Sequence, residues 1–212
     1  MKLTTRGARL AGYMFVTLLA ACGALQASVI GSIWENDSTG AGDAVPANVP
    51  TTTPDVTFST NPPIDFTSAG GYTIGQFLSS GGGSTILTGS SQLANTLDNT
   101  LFNFTGTVTV TTGETFTAGH DDGLTLTIGG ITVISAPGPT AFAVTTETYT
   151  GPSGTLPFQL VYGECCGAPA ALSISLPLVS NTSPVPEPSS FILLGAGLIA
   201  AAALRIKSRF TA

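Results

Sequence analysis

Between residues 101 and 176 the chain is a succession of short segments in which apolar and polar side chains alternate, each ended by Gly or Pro. A period of two sends successive side chains to opposite faces of an extended chain, so one face is apolar and the other is wetted. Residues 101–110 show this most clearly, with Phe102, Phe104, Val108 and Val110 on one face and a glycine near the middle. Residues 124–128 and 131–134 flank Gly129-Gly130, which fits a two-residue hairpin turn. Residues 113–117, 141–148, 156–162 and 171–176 continue the series, and Thr suits their outer faces because it is β-branched yet polar. No substantial amphipathic helix competes. The pattern predicts an all-β chain, a β-sandwich or jelly roll whose two sheets bury the Phe, Leu, Ile and Val faces.

The earlier part is less regular. Residues 34–63 contain Pro46, Pro50, Pro54, Pro62 and Pro63 among Thr, Asn and Asp, a composition that disfavours helix interiors and central strands. It predicts extended loop with one edge strand at residues 56–59. Apolar side chains return at Ile64, Phe66, Tyr72, Ile74, Phe77 and Leu78, with a short helix or turn expected at residues 74–79 and a stop at Gly81-Gly82-Gly83. Residues 79–91 read as a Gly/Ser/Thr loop.

Charge is partitioned along the chain. Lys2, Arg6 and Arg9 lie at one end and Arg205, Lys207 and Arg209 at the other, so residues 28–185 hold no Lys or Arg but eleven of the twelve acids. Carboxylates in that body cannot pair with a Lys or Arg of the same body; they face water, accept hydrogen bonds or bind metal. Nucleic acid is excluded as a partner, because phosphate recognition needs a basic surface.

The basic ends flank apolar runs. Residues 1–27 have a basic start, an apolar stretch and the small-residue site Leu25-Gln26-Ala27, the form of an export signal. Leu19-Ala20-Ala21-Cys22-Gly23 offers an alternative, a lipobox in which Cys22 would be lipidated. Residues 28–185 are enough for one extracytoplasmic domain. Residues 186–212 begin Pro186-Glu187-Pro188, continue through an apolar run at 191–204 and end in the basic cluster. The run is short beside the roughly 20 residues that span a bilayer core, yet its flanks have the logic of a membrane stop with its positive side inside. This order of parts resembles the C-terminal sorting signal of bacterial PEP-CTERM proteins. The resemblance implies a Gram-negative source, recognition by a membrane-embedded exosortase, removal of the tail, and a body held at the cell surface or extracellular matrix.

Chemistry concentrates at Gly119-His120-Asp121-Asp122-Gly123, between two expected strands. Adjacent carboxylates repel, so the pair is more easily understood with a cation beside it. Calcium suits an oxygen-rich body that lacks the Cys and His set of structural zinc. The alternative is a solvated hairpin turn with no ligand. His120 reads as a polar turn residue, and Trp34 as a packing residue or a sugar-stacking one.

Residues 103–176 also resemble the protective-antigen and flocculin-type domain, a carbohydrate-associated β-sandwich. The likeness rests on Asp121-Asp122-Gly123 between strands, and on a late strand from Leu156 to Tyr162 followed by Gly163-Glu164 and a closing hairpin. In sugar-binding members, the resemblance implies, the aspartate pair carries a cis peptide and both carboxylates hold a calcium ion that touches sugar hydroxyls. Asp121 and Asp122 are then the calcium ligands. The same resemblance implies a further loop with Asn and carbonyl ligands, for which residues 135–140 are the guess.

Cys165 and Cys166 are adjacent, and the sequence allows a vicinal disulfide, free thiols or intermolecular bridges. A catalytic thiol is disfavoured, since His120 is the only His and the body has no base to lower a thiol pKa. Glu114, Glu147, Glu164, Asp121 and Asp122 form no recognisable acid and nucleophile arrangement. The expectation is a non-enzymatic structural or adhesive surface protein. Its alternative is a calcium-dependent carbohydrate-binding module acting on exopolysaccharide or other surface glycans, and a glycan hydrolase ranks below both. The other expected partners are the exosortase and export machinery, and the membrane through the C-terminal helix before processing.

Overall fold

Phe102, Phe104, Val108 and Val110, the apolar file expected on one face of residues 101–110, are all buried. The computed structural model describes residues 29–179. The expected signal at 1–27, Cys22, Pro186-Glu187-Pro188 and the C-terminal helix lie outside the described residues.

Within them the strands are β1 (Val29–Trp34), β2 (Val56–Thr60), β3 (Ile64–Thr67), β4 (Thr85–Thr88), β5 (Thr100–Val110), β6 (Thr115–Asp121), β7 (Leu124–Ile128), β8 (Ile131–Ala136), β9 (Ala143–Thr148), β10 (Gly154–Glu164) and β11 (Ala171–Ile174). They form a seven-stranded sheet, β4-β2-β1-β5-β10-β7-β8, and a four-stranded sheet, β3-β11-β6-β9. The pairings are antiparallel throughout. The two inner faces share one core, with Phe104, Leu126 and Leu160 from the larger sheet against Phe66, Phe116 and Leu172 from the smaller. This is the expected β-sandwich.

A short helix, α2 (Ile74–Ser80), closes one side, its first turn capped by the Thr73 hydroxyl, which accepts from Gln76 N. It buries Ile74, Phe77 and Leu78. The Phe77 ring lies 5.4 Å from Phe66, 5.5 Å from Phe102 and 6.1 Å from Tyr162. Such aromatic pairs contribute about 0.5–1.5 kcal/mol each beyond the area they bury. The same packing fixes Tyr162, which the site uses.

Three expectations are corrected. Residues 56–59 belong to β2, which is not an edge strand but lies between β1 and β4. The Gly/Ser/Thr stretch 79–91 is not all loop, because residues 85–88 pair onto β2 as the edge strand β4. The segment 34–63 is likewise not continuous loop: besides β2 it contains α1 (Ser38–Gly42) and a 3-10 turn at Pro46–Asn48. Its strand neighbour β1, unforeseen from the sequence, runs between β2 and β5. β1 and β2 approach closely where Gly31 stands opposite Phe58: the Phe58 ring occupies the space a side chain at Gly31 would need, 2.2 Å from an added Cβ.

Candidate functional site

β6 belongs to the four-stranded sheet and β7 to the seven-stranded one, so the chain changes sheets at Asp122-Gly123. Asp121 is the last residue of β6, opposite Ala171, and Leu124 the first of β7, opposite Tyr162. The aspartate pair is therefore a corner between sheets, and the hairpin reading is overturned. The Asp121-Asp122 peptide is cis. His120, expected in a turn, lies inside β6 and is 1% exposed.

Both carbonyls of the pair are held from behind. The Tyr162 hydroxyl donates to the Asp121 carbonyl, and His120 Nδ1 lies 2.6 Å from the Asp122 carbonyl. The Asp122 carboxylate is held from two loops: Oδ1 accepts from Thr140 N at 3.0 Å and Oδ2 from Cys165 N at 2.9 Å. Asp121 and Asp122 are 6% and 5% exposed. Burial first, and the Asp122 carboxylate beside it second, push the Asp121 carboxyl above its ordinary range.

A second polar layer lies underneath. Glu164 is fully buried, with Oε1 2.6 Å from the Tyr72 hydroxyl and Oε2 2.8 Å from the Tyr162 hydroxyl. Asp98 Oδ1 is 3.1 Å from the same Tyr72 hydroxyl. A carbonyl only accepts, so the single Tyr162 proton goes to Asp121, and the contact with Glu164 is satisfied when Glu164 carries a proton. Burial agrees with this, pushing the Glu164 carboxyl up to about 8 although the Tyr72 hydroxyl donates to it.

The pair opens onto a cleft of about 550 Å³ between residues 139–142 and 166–169. Pro139 and Thr140, within the expected ligand loop 135–140, line it; the other wall is Cys166, Gly167, Ala168 and Pro169, where the sequence marks the adjacent cysteines and a closing hairpin but no part in a cleft. No Asn is among the lining residues. Cys165 and Cys166 are joined to each other, and Cys166 has φ of 70°. Of the acids considered as catalytic, Asp121 and Asp122 line the cleft; Glu164 lies beneath it, Glu114 accepts from Thr111 N in its own turn, and Glu147 is on the exposed strand β9. Trp34 is 8% exposed and donates from Nε1 to the Thr52 carbonyl, so it packs and takes no part in the cleft.

Residues 184–208 match the PEP-CTERM protein-sorting motif. No curated protein sequence matches the chain. Among solved structures, the PA14 sugar-binding domain from an RTX adhesin is similar at a TM-score of 0.53 and 19% identity, over 71% of this chain and 90% of that one. The PA14 domain of the MpAFP antifreeze protein is similar at a TM-score of 0.49 and 17% identity, over 73% of this chain and 82% of that one. The body thus has the PA14-type β-sandwich fold, PA14 being the protective-antigen type of domain. The chain is an exported cell-envelope or surface protein that carries a PEP-CTERM sorting motif.

Proposed function

We propose that this protein is a non-catalytic adhesive module of the cell surface, sorted by an exosortase, whose cleft binds glycans in a calcium-dependent way through Asp121 and Asp122. One observation carries the reading. Two adjacent carboxylates, each about nine-tenths buried or more, sit at the mouth of a cleft in a body without Lys or Arg. Like charges so placed favour a bound cation.

The donor set fits a hard cation. Carboxylate and carbonyl oxygens suit calcium, whereas the sulfurs of Cys165 and Cys166, near Asp122, are bonded to each other and are not thiolates. The Asp122 oxygens each accept one N–H and keep a second lone pair. Asp121 and Asp122 would hold the ion, with carbonyls of the flanking loops and water completing six to eight ligands. When bound, the ion supplies open coordination positions for vicinal sugar hydroxyls. The protein's own part is positioning: Tyr162 and His120 set the main chain of the pair, and Thr140 N and Cys165 N orient one carboxylate. Hydrolysis fits less well, since glycosidase carboxyls flank a bond from about 5–9.5 Å apart, while this pair is contiguous and Asp122 is engaged by two amides.

The test is calorimetric titration with calcium and retention on immobilised neutral polysaccharides, with and without chelator. Wild-type protein is expected to bind calcium and to need it for retention, and the D121N/D122N double variant to lose both. Retention that survives chelation and the double substitution overturns the reading.

A further inference from the structure

The register of the four-stranded sheet lays one row of residues across its solvent face. Asp65 on β3 stands opposite Ser173 on β11, Ser173 opposite Gly119 on β6, and Gly119 opposite Val144 on β9. Side chains two apart on a strand share a face, so Asp121 and Thr117 lie on the same face as Gly119, in one file along β6. From Asp121 to Thr117 that file is about 13 Å long at the rise of an antiparallel strand. The face that begins at the cleft continues away from it.

This continuation is hollow. A trough of about 470 Å³ is lined by Asp65, Thr117, Gly119, Phe142, Val144 and Ser173, with neighbours at one end. Phe142 lines both the trough and the cleft, so the two hollows meet at one aromatic ring. Phe142 is 59% and Val144 63% exposed. Side chains so exposed leave apolar surface in water that a bound partner would cover. The Phe142 ring leans over Gly119, where an added Cβ would stand 3.1 Å from the ring and 2.7 Å from Ser173 Oγ. The missing side chain is what leaves room for the ring.

We propose that the trough is a second subsite for a neutral glycan chain, with one sugar at the aspartate pair, the next against Phe142, and later units along Thr117, Ser173, Val144 and Asp65. The inference rests on the glycan reading above and extends it from a point site to a linear one. The chemistry favours this occupant. An exposed aromatic ring takes the C–H face of a sugar, and Thr117, Ser173 and Asp65 offer hydroxyl and carboxylate partners for its rim. A body with no Lys or Arg and with Asp65 on this face repels uronic, sulfated and phosphorylated chains.

The experiment uses the full chain with glucose, mannose and galactose oligosaccharides from monosaccharide to hexasaccharide, in calcium. Affinity is expected to rise about three- to tenfold with chain length, the scale of one aromatic contact. F142A should remove this gain and F142W retain it; S173Y, which fills the trough away from the cleft, should remove it while monosaccharide binding persists. Thermal melts confirm that each variant is folded. If monosaccharides bind but length adds nothing, or the gain survives both F142A and S173Y, the trough inference is overturned and the aspartate site stands. Absence of binding to every sugar overturns both. If the wild type self-associates and F142A disperses it with glycan affinity unchanged, the trough is a protein contact and the inference fails.

Discussion

His120 Nδ1 lies 2.6 Å from the Asp122 carbonyl oxygen, and its Nε2 lies 2.8 Å from Thr145 Oγ1. A carbonyl offers no proton, so Nδ1 carries the hydrogen and donates to it. The imidazole, 1% exposed, ties the corner of the aspartate pair to the neighbouring strand β9. H120A should leave the Asp122 carbonyl buried without this donor and cost about 1–3 kcal/mol of stability. Urea denaturation measures the loss, and calcium titration of the folded variant should show weaker binding because the main chain that leaves Asp122 is no longer held.

Glu164 makes stability depend on pH. Its folded carboxyl titrates at about 8 against an ordinary value of 4.5, so the unfolded chain releases the proton first. The stabilisation is complete below about pH 4.5 and is lost as pH rises through about 8. Asp121, also shifted upward, acts with the same sign. Denaturation midpoints measured in chelator should therefore fall over that window. E164Q keeps a neutral partner for both tyrosines and should flatten the slope without removing it, since Asp121 still contributes. A midpoint rising from pH 5 to 8 contradicts the protonated Glu164.

Reduction should act locally. The Cys165–Cys166 bond joins neighbours in sequence, and in the chain-entropy view so small a loop adds only about 1 kcal/mol to stability. Cys165 N nevertheless donates to Asp122 Oδ2, and Cys166 forms part of the cleft wall. C165S/C166S is expected to shift the unfolding midpoint little and to weaken calcium binding several-fold. Equal calcium affinity in oxidised, reduced and double-serine protein would show that the bond does not order the cleft.

The larger sheet depends on a bare position in β1. G31A places a Cβ 2.2–2.7 Å from three atoms of the Phe58 ring, which is fully buried beside Phe66 and Phe104. Overpacking of this kind typically costs about 1–3 kcal/mol. Thermal unfolding should show G31A less stable than wild type, and F58L in the same background should recover part of the loss.

The all-β class, most of the strands after residue 100, the acidic body without Lys or Arg and the aspartate pair are legible in the chain, because each is written in local alternation, turn residues or composition. Leu124 to Ile128 and Ile131 to Ala136 show this: a period of two with two glycines between is a complete local instruction for β7, β8 and their turn. The strand expected at 113–117 stops short of β6, which runs on through His120 to Asp121. The tertiary structure decided what non-local pairing creates. β1 and β4 gain their place from partners such as Phe58 and Thr57 rather than from their own pattern. The site brings Thr140 and Cys165, 18 and 43 residues beyond Asp122, onto its carboxylate, and Tyr162, His120 and Glu164 acquire their roles only when two sheets meet at one corner. A polar residue in an apolar run has no partner in the sequence; burial makes it find one, and that partner identifies what it does.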